Sequence, residues 1–156
     1  MLFPQRRAPH LYEIGEFLVD VAHVDRWPLR GNVVSRKRRV ALHRACHWRA
    51  LAHTGQGGRE FEDPHERLLS LLPGVEAVPF AESDQCCGFG GAFSINHGFT
   101  SAAIGLEKLR TIMEAGVEEI VSSDMGCLLH LDGLIRRHHL PLRTRHVMEL
   151  MAEAIG

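Results

Sequence analysis

Three short extended runs, RRVALH (residues 38–43), VEAVPF (75–80) and VEEIVSS (117–123), each end a few residues before a cysteine. Helical stretches lie between them. Strands of this length that alternate with helices, without hairpin signals, form βαβ units and a parallel sheet. Right-handed crossovers place the carboxyl ends of such strands on one edge, and ligands bind in the crevice beyond that edge. Cys46 follows the first run, Cys86 and Cys87 the second, and Cys127 the third. Three loops far apart in sequence are therefore expected to bring four thiols to one crevice, a pattern that suggests a metal site. The intervals match: 39 residues separate Cys46 from Cys86, and 39 separate Cys87 from Cys127.

The helices have their own signals. DPHERLLSLL (63–72) offers Asp63 as N-cap, Pro64 as first helical residue and Glu66 as the capping-box partner, with Pro73-Gly74 as the stop. TSAAIGLEKLRTIMEAG (100–116) repeats Ala103, Leu106, Leu109, Ile112 and Met113 at helical spacing and closes on Gly116. GCLLHLDGLIRRHH (126–139) reads as a helix with Cys127 in its first turn and Asp124 as a candidate cap. Pro141 breaks it, LRTRHV (142–147) supplies a fourth strand, and MELMAEAI (148–155) a closing helix. Near the start, HLYEIGEFLVDVAHV (10–24) sets Leu11, Ile14, Phe17, Leu18 and Val21 on one helical face. The expectation is a single α/β domain over residues 1–156, with 1–9 irregular. Its parallel sheet of about four strands is flanked by helices, and the cysteines stand at the carboxyl ends of the strands.

Composition narrows the function classes. With 45% apolar and 24% charged residues and a formal charge of −1, the chain is ordinary for a globular domain. RKRR (36–39) and RRHH (136–139) lack interleaved aromatics and read as solvated faces, so no nucleic acid partner is expected. No run approaches the roughly 18 apolar residues of a membrane span. MLFPQRRAPH lacks a signal-peptide core, which points to the cytoplasm. Thiols stay reduced there, so four cysteines are better read as metal-binding or catalytic than as disulfides.

The nine residues QCCGFGGAF (85–93) carry the chemistry. Neighbouring side chains in an extended chain point to opposite faces, which makes Cys86 and Cys87 awkward partners for one small ion. Gly88, Gly90 and Gly91 relax that constraint, and their loop offers amide N–H groups to anionic sulfur. Two adjacent sulfurs more naturally reach different atoms of a polynuclear iron–sulfur centre. Zinc is the competing metal: four thiolates satisfy it, although the usual C-x₂₋₄-C knuckles are missing. A cluster-free redox thiol pair is a third reading, without a C-x-x-C motif to support it. Cys127, at a helix start, is expected to have a lowered thiol pKa. His43 and His47 flank Cys46 and are expected to stand behind the sulfurs, as are Gly88, Gly90 and Gly91. A dinucleotide fingerprint would need glycine at 93, where Phe93 stands. No catalytic residue is expected, since neither a Ser-His-Asp constellation nor a paired-carboxylate motif is present.

Cys46 within HRACH, then DQCCGFGGAFS, then Cys127 within SDMGCLLH together resemble the CCG cysteine-rich domain family. That family includes the cysteine-rich component of heterodisulfide reductase, the glycolate oxidase iron–sulfur subunit and the lactate-utilisation protein A group. The resemblance implies an iron–sulfur cluster of the 4Fe–4S type held by Cys46, Cys86, Cys87 and Cys127. It also implies a cytoplasmic electron-transfer subunit of an oxidoreductase, working with other subunits in lactate- or glycolate-type 2-hydroxy acid oxidation. The fullest family pattern ends in Cys-x-x-Cys, whereas this chain reads Cys127-Leu128-Leu129-His130. His130, on the same helical face as Cys127, is thereby a candidate metal ligand in place of the last cysteine. Arg44 and Ala45 replace the small polar residues that precede the family's first cysteine. Members carry two such domains in tandem and this chain resembles the second, so a homodimer would imitate the pair.

Overall fold

The computed structural model describes residues 12–29, 37–46 and 63–155. In chain order these form α1 (Ile14–Glu16), a π-helical turn (Phe17–Val21), β1 (Arg38–Leu42), α2 (Pro64–Ser70) and β2 (Val75–Ala77). There follow α3 (Ala92–Asn96), α4 (Gly98–Glu114), β3 (Glu119–Ser122), α5 (Met125–His138), β4 (Arg143–His146) and α6 (Val147–Ile155). The readings for residues 1–9 and for His47 lie outside the described residues.

The four strands make one parallel sheet in the order β2-β1-β3-β4. Val40 pairs with Ala77 on one side and Glu119 on the other, and Ile120 pairs with Thr144. Alternation along the strands sends Val40, Leu42 and Val121 to one face, where Leu68, Leu69, Leu72, Leu150 and Met151 of the α2 and α6 regions cover them. Ala41 and Ile120 point to the other face, against Leu109 and Ile112 of α4 and Leu131, Leu134 and Ile135 of α5. Chain direction reverses at β1: the path steps out to β2, then crosses back to β3 on the far side. The crevice at that reversal lies beyond the carboxyl ends of β1 and β3, where parallel sheets bind ligands.

The expected strands are present but shorter at their ends. β2 stops before Pro79, which has no N–H to donate, after Val78 N–H has bonded Val40 O at 2.8 Å. In α4, Leu109 and Ile112 are buried and Leu106 and Met113 pack against the same core, as the spacing expects. Ala103 is exposed, and Ser101, Gly105 and Lys108 share the buried face. Gly116 follows that helix at φ 68, as its closing role requires. Of the single amphipathic helix expected over 10–24, residues 10 and 11 lie outside the described residues, and the described part is instead one α turn and one π turn. The wider turn brings Leu18 and Val19 together onto the α2/α6 side of the core, leaving Ile14, Phe17 and Val21 more than 40% exposed.

α2 begins as its sequence requires, with Asp63 accepting the His65 N–H at 2.9 Å and Pro64 in the first turn. Glu66 does not return to the cap; it holds Arg44 at 2.8 Å. His65 is buried between two carboxylates, with Nδ1 3.2 Å from Asp63 and Nε2 3.0 Å from Glu13. Burial opposes charge on the ring, but the hydrogen bonds to Asp63 and Glu13 outweigh it and raise the pKa to about 9. Both carboxyls are correspondingly held below their usual range by His65, against their own burial.

The sign of the linkage is definite. The His65 contribution is complete below its unfolded pKa of 6.5 and is lost as pH rises through 9. The carboxylate contributions are present above about pH 4.5 and lost as pH falls further. Raising pH from 6 to 9.5 should remove about 2–3 kcal/mol from unfolding free energy measured in urea. His65→Gln should flatten that slope, and an unchanged slope in the variant would refute the assignment.

Candidate metal centre

β1 runs directly into the site. The backbone of His43 is held on both sides by β3: its N–H bonds Val121 O at 2.8 Å and its carbonyl accepts Ser122 Oγ at 2.9 Å. Arg44 turns the other way and grips Asp63 and Glu66, each at 2.8 Å, which ties this loop to the start of α2. Ala45 is buried and Cys46 emerges on the exposed side.

The loop after β2 is anchored from beneath by Lys108. Its side chain is enclosed at 1% exposure, and Nζ donates to the carbonyls of Glu82, Ser83 and Gln85 at 3.2, 2.7 and 2.9 Å. The Phe80 ring lies 5.1 Å from the same ammonium. Beyond the anchor, Cys86 is exposed and Cys87 is buried at 2%, the opposed orientation expected of neighbours. Gly88, Gly90 and Gly91 all take positive φ. Gly88 is also pressed against α4, where its carbonyl accepts the Ser101 hydroxyl at 2.8 Å. The amide of Gly88 donates to Cys86 Sγ at 3.3 Å, and that of Phe89 to Cys87.

Cys127 enters from the first turn of α5, its N–H received by Asp124 Oδ1 at 3.0 Å. Asp124 is thus the helix cap. Cys87 and Cys127 place their sulfurs 2.8 Å apart, well beyond the 2.05 Å or so of a disulfide bond. His43 completes the buried set: at 2% exposure, it has a ring nitrogen within 4.8 Å of both sulfurs. The ring's interaction is with the Cys87 thiol beside it.

The electrostatics follow from this crowding. The Cys127 thiol, with the Phe89 amide and the nearby His43 ring, outweighs burial and lowers the Cys87 pKa to about 4. Cys127 is pushed up, by Cys87 first and then by burial, Asp124 and Cys46. This reverses the expectation for Cys127: a partner thiolate at contact distance outweighs a helix end. Burial also raises Cys86, with Cys87 and Cys46 adding to the rise. Cys87 and Cys46 thus each oppose ionisation of both Cys86 and Cys127, so a multivalent cation that offsets this repulsion fits the donor set. His130 sits one turn deeper along α5, its Nε2 3.4 Å from both the hydroxyl and the carbonyl of Ser101, with the Phe89 ring 6.1 Å away.

Lys108 was not among the residues the sequence singled out. Its signal was available: a lysine within an apolar stripe, three residues after Gly105 and four before Ile112. Ser101 and Ser122, which each hold a backbone carbonyl of a site loop, had no comparable signature.

A parallel sheet whose strand ends gather four thiols defines a cysteine-rich domain with the donors for a metal or cluster. Residues 40–132 match the CCG cysteine-rich domain, and the chain belongs to that family. It is similar to lactate utilization protein A of Geobacillus kaustophilus (35% identical over 94% of this chain and 56% of the relative). The protein of that name in Geobacillus thermodenitrificans matches at the same identity and coverage, and that of Bacillus pumilus at 33% over 92% and 56%. The chain spans just over half the length of these relatives. No described helix is long and apolar enough to cross a membrane.

Proposed function

We propose that this chain is an electron-transfer unit of a cytoplasmic lactate-oxidising system, with an iron–sulfur cluster held by Cys46, Cys86, Cys87 and Cys127. The observation that carries the reading is the meeting of Cys87 and Cys127 at 2.8 Å, with Cys46 close enough to act on both Cys86 and Cys127. A cluster at these thiolates supplies a store for single electrons. The protein's part is to keep Cys87 and Cys127 out of water, direct amides at Cys86 and Cys87, and leave Cys46 and Cys86 on the exposed side. Exposed ligands bring the redox centre near the surface, where a partner subunit can approach. Oxidation of the 2-hydroxy acid itself belongs to that partner.

A single zinc-like ion is the second reading, favoured by the compact group of His43, Cys87 and Cys127. Anaerobic reconstitution with iron and sulfide separates the two. The cluster reading expects visible charge-transfer absorbance and several irons per chain. Cys86→Ser should reduce bound iron by at least about tenfold. Colourless protein that retains stoichiometric zinc and takes up no iron would defeat it.

A further inference from the structure

We propose that His43 is a direct ligand of the metal centre, supplying its nitrogen donor from the inner wall of the crevice. The inference rests on the reading that the crevice holds a metal centre, and it assigns a donor beyond the four cysteines. His43 is fixed before any metal arrives, because β3 takes up its backbone N–H and carbonyl. The residue is 98% enclosed, one ring nitrogen lies within 4.8 Å of each buried sulfur, and the Cys87 thiol is the group the ring acts on. A neutral imidazole carries one lone pair in the ring plane, and a bound ion would satisfy it. Nitrogen and thiolate donors to a shared ion lie about 2.0–2.3 Å from it and so about 3.5–4 Å from each other. All three atoms lie within 4.8 Å of one another, and a bound ion would hold the two sulfurs, now at 2.8 Å, further apart.

The position of His130 differs on each point. Its ring nitrogen already faces the hydroxyl and carbonyl of Ser101, and it does not belong to the close group of donors. The centre therefore draws its nitrogen from the end of β1 rather than from α5.

The test uses Co(II) alone, added anaerobically to the reduced full chain, with X-ray absorption at the cobalt edge to count nitrogen and sulfur donors. The wild type should show one nitrogen with sulfur. His43→Ala should lose the nitrogen and bind at least about tenfold more weakly. His43→Cys should regain affinity with an all-sulfur shell, and His130→Ala should keep the wild-type nitrogen. An all-sulfur shell in the wild type, a nitrogen that survives His43→Ala or His43→Cys, or no cobalt uptake by natively folded protein would overturn the proposal. Should His43→Ala fail to fold, the wild type and His43→Cys still decide. Failure of iron and sulfide reconstitution with the His43–cobalt site intact would sink the cluster reading and leave this assignment standing.

Discussion

Lys108→Met should lose most metal uptake while keeping the sheet. The ammonium is the common donor for three carbonyls in the turn that leads into Cys86, and methionine keeps the volume without the donors. Hydrogen bonds from a charged donor contribute about 1.5–3 kcal/mol each when the acceptors stay buried. Here Glu82 and Gln85 lie on an exposed turn, so water can reach their carbonyls once the turn lifts away from α4. The expected loss of global stability is therefore limited to about 2–4 kcal/mol. The larger effect is on geometry, because the turn sets where Cys86 and Cys87 begin. Bound iron should fall by more than about tenfold, the range expected when a ligand's support is removed. Lys108→Arg should recover part of it. Urea unfolding and iron content together check the result, and full metal uptake by Lys108→Met would show that the turn holds its shape unaided.

The second large effect belongs to Gly88. Its φ of 91 is a conformation that side chains avoid, and a Cβ there would stand 2.4 Å from the backbone carbonyl of Ser101 and 3.2 Å from Gly105 N. Backbone strain of about 1–2 kcal/mol adds to overpacking of about 1–3 kcal/mol, since no flexible side chain can move aside. Gly88→Ala should lower unfolding free energy by about 3–4 kcal/mol and displace Cys87 from Cys127, abolishing cluster assembly. Gly91 provides the control. It also has positive φ, at 56, but nothing lies within 4 Å of its would-be Cβ. Gly91→Ala should carry only the backbone strain of its φ 56, ψ −108 conformation, about 1–3 kcal/mol, and assemble normally. Equal losses in the two variants would mean that φ alone, and not contact with α4, constrains the loop.

What could be read in advance was what local chemistry decides. Strand and helix periods, Pro64 after Asp63, Gly116 after α4 and Asp124 before α5 act within a few residues of themselves, and each appears where the sequence puts it. The parallel sheet followed from the alternation of elements. The N-terminal segment escaped because its packing is non-local: Trp27 donates to Met151 O across the molecule at 2.7 Å, and a π turn aligns Leu18 and Val19 with that core.

The sequence by itself determined that three cysteine-bearing loops follow three strands of a parallel sheet, because strand period, helix period and turn residues are properties of short stretches. Only the tertiary structure decided how the thiols divide the work. Burial and contact depend on which atoms the folded chain brings together. They turned Cys87 inward and Cys86 outward, reversed the expected ionisation of Cys127, placed a lysine under the loop, and set the buried His43 ring beside two sulfurs.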